Sequence, residues 1–413
     1  MNKFLKLSVI LTTLSLSGTA LSAGYQLSEY SAAGMGRSFA GAGVVGDDFS
    51  AIGYNPAGMT YNKTSGVQAT ASYVRLYSRF KDKNAGSTER GQTDINRILP
   101  SFFAQHRFDD KLTTGIGVYT PFGLATDYPN GWFGEVHGGL SEVSAINISP
   151  SIAYQLNDYV SIGGAVNFQN TTAHLTSSAA DLEGSDWAVG YSFGLTVTPI
   201  ESLRLGLSYR SKVSHKLKGD INRLTLAQLG GMSVYEGDVS AKLTTPETAM
   251  LSLAWDVNDK WTLSGSARWT RWKRFDTLDI TMQNAQLGQI SPLLGSITSS
   301  TKEKWRNTGF YALGADYKWN DNWTVRAGIA YDMTVIRSAG YRTPRIPDGR
   351  RVWNSLGVSY AHKNFQVDFG YAHIYVFGGH AKGSTADTPA SKLPNIKYSS
   401  DANMFSLGLQ YKF

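Results

Sequence analysis

The 413-residue sequence contains no cysteine, which removes disulfide frameworks, thiolate metal sites and cysteine nucleophiles together. Charged residues make up only 17% of it, against about 25% in soluble domains. Beyond residue 22 there is no uncharged apolar run of the roughly 18 residues that a membrane-crossing helix needs. The seven histidines, at 106, 137, 174, 215, 362, 373 and 380, form no His-Glu-x-x-His pattern and no tight cluster. No Gly-x-Ser-x-Gly elbow occurs either, so neither a metal centre nor a serine hydrolase is indicated and the chain is not read as an enzyme. There is no Walker lysine and no aromatic-basic repeat, and the net charge of +7 is scattered, which argues against nucleic acid. Gly41-Ala-Gly43-Val-Val-Gly46 matches the dinucleotide pattern by letter only, because no strand precedes it. No cofactor is expected.

What is present is glycine, 43 residues of it, with 12% aromatics and a slightly negative mean hydropathy. Lys3 and Lys6, the apolar stretch Leu7 to Leu16 and the small residues Ala20 and Ser22 have the form of a secretory signal over residues 1–22. An exported chain without a crossing helix is either soluble or a membrane β-barrel. The period decides between them. Phe405, Leu407, Leu409, Tyr411 and Phe413 alternate with Ser406, Gly408, Gln410 and Lys412. The same two-residue period recurs from Ile146 to Leu156, Tyr311 to Trp319, Trp323 to Tyr331 and Phe365 to Tyr371, in runs of the length a lipid-facing strand requires.

The connections repeat a theme as well. Phe108-Asp-Asp-Lys111, Leu156-Asn-Asp-Tyr159, Pro199-Ile-Glu-Ser202, Val257-Asn-Asp-Lys-Trp261, Trp319-Asn-Asp-Asn-Trp323 and Ala361-His-Lys-Asn-Phe365 read as six short turns. Between them fall long polar stretches near 79–94, 121–142, 175–186, 219–239, 276–303, 336–350 and 378–402. Short turns at one rim and long loops at the other are the mark of a membrane barrel. Six plus seven connections imply about fourteen strands, with both ends on the periplasmic side. Trp255, Trp261, Trp319 and Trp323 flank the turns as an interfacial girdle would.

Residues 23–62 lack this alternation and hold eight glycines, from Gly24 to Gly58. Such a segment has too little bulk for a core of its own. It is expected to fold as a plug inside the barrel formed by residues 63–413.

These residues also carry a resemblance. Ala-Gly-Tyr-Gln-Leu-Ser-Glu-Tyr-Ser-Ala-Ala-Gly-Met-Gly-Arg at 23–37, then Asp47-Asp48 and Asn55-Pro56-Ala57-Gly58-Met59, resemble the N-terminal hatch of the FadL/TodX family of outer-membrane transporters. Tyr119-Thr-Pro-Phe-Gly-Leu-Ala-Thr-Asp-Tyr128, Tyr209-Arg-Ser-Lys-Val213, Arg326-Ala-Gly-Ile-Ala-Tyr-Asp332 and Ile346-Pro-Asp348 with Arg351 and Trp353 are similar to that family in order and spacing. The resemblance implies an all-β protein of the Gram-negative outer membrane: a fourteen-stranded antiparallel barrel plugged by a hatch and taking up hydrophobic molecules by passive diffusion. Long-chain fatty acids come first as substrate, with neutral or aromatic hydrocarbons second. A surface adhesin or ligand-binding barrel and a general porin are the readings from other classes. Implied partners are outer-membrane lipids, lipopolysaccharide and the barrel assembly machinery.

The resemblance further implies an apolar pocket near the hatch, with Gly24, Tyr25, Leu27, Tyr30, Asn55, Pro56 and Ala57 as candidates. It implies a lateral opening at a kinked third strand. There Pro121 removes a ladder donor, beside Phe122 and the side-chain-free Gly123; a plain strand ending is the alternative. Family members that bind fatty acids place one pocket cation beyond the fifth strand and another ahead of the tenth. Ser177 stands at the first position, with His174 nearby, and Lys302 lies one residue out of register with the second. His174, Lys302 and Arg306 are therefore the candidate carboxylate contacts. Lys302 and Arg306 on a solvated loop, meeting lipopolysaccharide phosphates, is the other reading.

Overall fold

A computed structural model describes residues 24–84, 86–226, 230–382 and 395–413. The leader expected over 1–22 and residues 383–394 of the stretch near 378–402 lie outside the described residues.

The barrel wall is fourteen antiparallel strands. The first six are β1 (Gly66–Asp82), β2 (Arg90–Arg107), β3 (Leu112–Asp127), β4 (Leu140–Gln155), β5 (Val160–Thr176) and β6 (Ala180–Ile200). Four interrupted strands follow: β7 (Leu203–Arg210 and Val213–Leu226), β8 (Asp238–Thr245 and Thr248–Asp256), β9 (Trp261–Thr270 and Thr277–Gln283) and β10 (Ser296–Lys302 and Thr308–Lys318). The last four are β11 (Trp323–Asp332), β12 (Arg350–His362), β13 (Phe365–Phe377) and β14 (Ile396–Lys412). Each strand pairs with the next, and β14 closes on β1 in unbroken register from Gly66 opposite Lys412 to Asp82 opposite Ile396.

The two-residue period fixes which way each side chain points. Leu205, Leu207, Leu251, Leu253, Leu313, Leu407 and Leu409 are exposed on the outside, where lipid takes the place of a core. Ser208, Ser252, Ser264, Ser266 and Ser406 point inward and are buried. At the short-turn rim, rings touch across neighbouring strands: Trp261 and Tyr317 at 4.7 Å, Trp323 and Tyr360 at 4.8 Å, Phe365 and Tyr411 at 4.8 Å.

All six short turns form where the sequence places them, and four share one device. Asp109 Oδ1 accepts from the N–H groups of Lys111 and Leu112, both at 2.7 Å. Asn157, Asn258 and Asn320 do the same for the residues two and three positions on. A short side-chain acceptor thus reverses the chain without spending extra residues.

The opposite rim differs from the sequence expectation. The stretch 175–186 is not a long loop: β5 runs to Thr176 and β6 starts at Ala180, joined by a three-residue turn in which Ser177 Oγ accepts from Ala179 and Ala180. The stretches 219–239 and 276–303 are also largely strand. The physical reason lies in the interruptions. At Ser211–Lys212 and Pro246–Glu247 the alternation reverses, so that Leu217, Ile221, Val239 and Leu243 point inward while Ser214, Lys216, Lys218 and Ser240 point outward. Above the membrane the outside of the wall meets water, and polar residues at outward positions read as loop.

The described part of the hatch, from Gly24 up to β1, lies in the lumen. It is bonded to strands on all sides: Ser101 Oγ donates to Tyr30 O at 2.8 Å, Asn55 Nδ2 to Leu195 O at 3.2 Å, Arg37 to Asp316 at 2.7 Å, and Ser38 to Ser355 at 2.7 Å. The wall makes room with glycine. A Cβ on Gly194 would sit 1.9 Å from Asn55 Oδ1, and one on Gly328 would sit 2.2 Å from the Arg37 carbonyl carbon.

Candidate functional site

β3 begins as an ordinary wall strand and then leaves the wall. Its ladder with β2 ends at the Phe102–Val118 pair, and its register with β4 slips between Tyr119 and Phe122. Pro121 lies in that slip, where its missing N–H costs no ladder bond. The strand is kinked there and does not end: it continues to Asp127, and every residue from Tyr119 to Thr126 is buried. The peptide groups that β2 no longer meets are bonded to the hatch. Leu27 N donates to Pro121 O and Gly123 N donates to Tyr25 O, both at 2.8 Å, with Gln26 bridging Phe122. The wall between β2 and β3 consequently has no ladder above Val118.

Inside this kink the hatch begins in a cluster of rings. Tyr25 lies 4.7 Å from Trp272, 5.9 Å from Phe122 and Trp305, and 6.0 Å from Phe275, measured between centroids. Gly24 passes between Trp272 and Trp305 with φ +68°, so close that a Cβ would stand 2.8 Å from the Trp305 ring. Next to the cluster is a narrow cavity of about 70 Å³, lined mainly by Tyr25, Leu124, Val143, Leu217, Leu243 and Phe275. The cavity shares Leu182, Leu278, Ile280, Glu303 and Arg345 with a wider cleft of about 590 Å³ toward the long-loop rim. On its other side it shares Leu124 and Ile346 with a third space that is bounded by β1, β2 and the kinked part of β3. Three chambers with shared walls thus lie side by side between the outer rim and the interrupted seam.

Two charged groups stand where the outer cleft meets the cavity. Glu303 is 2% exposed and accepts from Trp305 Nε1 at 3.1 Å. Burial pushes its carboxyl up to about 7, against that hydrogen bond and the Arg345 charge, which lower it. Arg345 is partly buried, donates to Ser141 Oγ at 2.9 Å, and makes no ion pair among the described residues. Burial lowers its guanidinium to about 10, partly offset by Glu303, so it stays charged at neutral pH.

The residues singled out in the sequence fall into groups. Gly24, Tyr25, Pro121, Phe122 and Gly123 come together at the kink. Leu27 is packed deeper, in one core with Met35, Phe39 and Trp353, and Tyr30 stacks near Tyr54 and Tyr119 with its hydroxyl donating to Leu27 O. Asn55, Pro56 and Ala57 sit against β5 and β6 and line none of the three chambers. The candidate cations are not in the inner cavity. His174 is on the outward row of β5, bound to Asp181 at 2.9 Å, while Ala173 and Leu175 face the cavity. Arg306 is tied to the carbonyls of Thr334 and Val335. Lys302 lines only the outer cleft. The cation that reaches the cavity is Arg345, brought there by the fold of residues 333–349, where a sequence shows only a long loop.

The profile of the family described as outer membrane protein transport protein (OMPP1/FadL/TodX) matches residues 13–413. The chain belongs to this family. An outer membrane protein of Neisseria meningitidis serogroup B is 29% identical, the match covering 98% of this chain and 99% of that one. The long-chain fatty acid transport protein of Escherichia coli K12 is 26% identical over 90% of this chain and 92% of its own length. Among solved structures, a Pseudomonas aeruginosa FadL homologue superposes with TM-score 0.84 at 25% identity, over 95% of this chain and all of that one. The Pseudomonas putida toluene transporter TodX superposes with TM-score 0.74 at 16% identity, over 93% and 98%, a likeness of fold alone. As a FadL/TodX family member this is an outer-membrane transporter of hydrophobic compounds, and the family's members are transport channels rather than enzymes.

Proposed function

We propose that the protein takes up long-chain fatty acids. The observation that carries this reading is Arg345, a guanidinium in no ion pair among the described residues, at the mouth of a mainly apolar cavity that Glu303 also lines. A partly buried cation is costly unless something pairs with it. A fatty carboxylate would supply the pair, while its chain enters the cavity and gains about 0.8 kcal/mol for each buried methylene. Passage then follows the chambers: capture in the outer cleft, transfer past Glu303 and Arg345, and exit sideways through the seam above the Phe102–Val118 pair. Withdrawal of Gly24 to Leu27 from the kink would join the inner cavity to that seam.

A neutral aromatic compound is the second reading, favoured by the ring cluster of Tyr25, Trp272, Phe275 and Trp305. Titration with oleate and with toluene separates the two. Arg345→Leu is expected to weaken oleate binding at least tenfold and to leave toluene unchanged. Oleate binding that is indifferent to Arg345→Leu, or absent in the unaltered protein, would sink the fatty-acid reading. Gly123→Arg, placed in the seam, is expected to stop uptake by whole cells while the barrel still folds; unaltered uptake would refute the sideways exit.

A further inference from the structure

On the outer face of β1, β2 and β14 the structure leaves one polar row without partners. Tyr73, Phe405 and Ile98 form the last apolar row, and the outward side chains above it are mostly paired. Tyr73 donates to Asn96 at 2.5 Å, Arg75 grips Asp94 with its closest contact at 2.6 Å, and Tyr77 donates to Gln92 at 2.6 Å. Higher still, Lys81 stands directly opposite Lys397 on one side and Arg90 on the other. His380 continues that row beside Lys397, and Arg79 lies one row below, its guanidinium 5.5 Å from the Tyr77 ring. Lys81, Arg90, Lys397 and Arg79 are all exposed, and none makes an ion pair among the described residues. The acids near them are Asp94, taken by Arg75, Asp401, two rows below Lys81, and Glu89, which pairs with none of them.

Like charges directly across a ladder oppose each other, and neighbouring strands are only about 4.8 Å apart. Three cations abreast, in no ion pair among the described residues, form a surface that an anion would stabilise. The wall that carries them is firmly backed: Phe80 packs inward on Tyr128, Trp132 and Phe133, with Ile396 and Tyr398 in the same core. Lys81 is eight residues above Tyr73. With a rise of about 3.4 Å per residue and a tilt of about 40°, the row stands roughly 20 Å above the last apolar row. That is the level of a sugar headgroup, well clear of the acyl chains. We infer that Lys81, Arg90 and Lys397, assisted by Arg79, form a docking site for the phosphate groups on the sugars of the outer leaflet's glycolipid.

The test uses the purified full-length protein in nanodiscs, with phosphorylated outer-leaflet glycolipid as the probe and native mass spectrometry as the readout. The unaltered protein is expected to retain the glycolipid, at least tenfold more weakly after phosphatase treatment of the lipid. The K81Q/R90Q/K397Q variant is expected to lose retention to the same degree while oleate binding and heat-modifiable gel mobility report an intact barrel. K81R/K397R, which keeps the charge, should retain the lipid. Equal retention of phosphorylated and dephosphorylated lipid, or undiminished retention by the glutamine variant, overturns the site. So does capture of an acidic protein through this row with no dependence on lipid.

Discussion

From Arg37 onward the hatch is bonded to the wall by charges; from Gly24 to Leu27 it is held by rings and uncharged hydrogen bonds, two from peptide groups and one from the Thr270 hydroxyl to Gln26 Oε1 at 2.8 Å. Arg37 binds Asp47 and Asp316, each at 2.7 Å, and Arg326 of β11 binds the same two carboxylates at 3.0 Å. Four alternating charges thus close a ring between hatch and wall, and both guanidiniums are almost wholly shielded from water. The other end touches β3 through contacts that can be broken one at a time. The difference teaches which part of the plug is a fixture and which part can move: a charge ring loses everything when one member leaves, whereas a ring cluster can rearrange around a ligand of similar polarity.

The comparison can be broken most severely at the charged end. Arg37→Ala leaves two carboxylates facing one guanidinium, which should cost about 3–5 kcal/mol and raise ion current through planar bilayers; a variant as tight to ions as its parent would show that the ring is not the anchor. At the other end, Gly24→Ala forces a methyl group against Trp272 and Trp305 at a left-handed φ. Overpacking of that kind costs about 1–3 kcal/mol, and oleate affinity should fall about tenfold with no gain in current.

With Glu303 titrating at about 7 in the folded protein and 4.5 as its ordinary value, the folded state takes up a proton between those two values. Stability is therefore gained as pH falls from 7 toward 4.5 and lost as it rises through 7. If a fatty carboxylate binds beside Arg345 only when Glu303 is neutral, oleate affinity should rise about tenfold from pH 8 to pH 6. Glu303→Gln should flatten that profile at the high-affinity level. The smallest effect is expected for Tyr25→Phe, because the Tyr25 hydroxyl is buried with no hydrogen-bond partner among the described residues. Removing it should stabilise the hatch end by about 1 kcal/mol, seen as slower proteolysis at the N-terminus.

The barrel was legible in the sequence because lipid imposes one rule on every strand. Phe405 to Tyr411 and Trp323 to Tyr331 show their outward face in the letters alone, and the Asn-Asp turns punctuate them. Above the membrane that rule fails, which is why residues 219–226 and Thr277–Gln283 read as loop. The kink was legible in part, since Pro121 marks where a ladder must stop; that the freed peptide groups bond to Tyr25 and Leu27 depends on a contact some ninety positions away. Arg345 was not legible at all. Its place at the cavity is set by the fold of 333–349, and nothing in its neighbours along the chain distinguishes it from the other loop cations.

The glycines that admit the hatch also constrain the order of events during assembly. Asn55 reaches within what would be 1.9 Å of a side chain on Gly194, and Arg37 within 2.2 Å of one on Gly328, on opposite parts of the wall. A segment fitted so closely has no route in through a finished cylinder. If the hatch is seated before the barrel closes, the strands wrap around it as around a mandrel. The seam between β1 and β14 can then zip only after the lumen has been filled, and a chain whose hatch is mis-seated should stall as an open sheet.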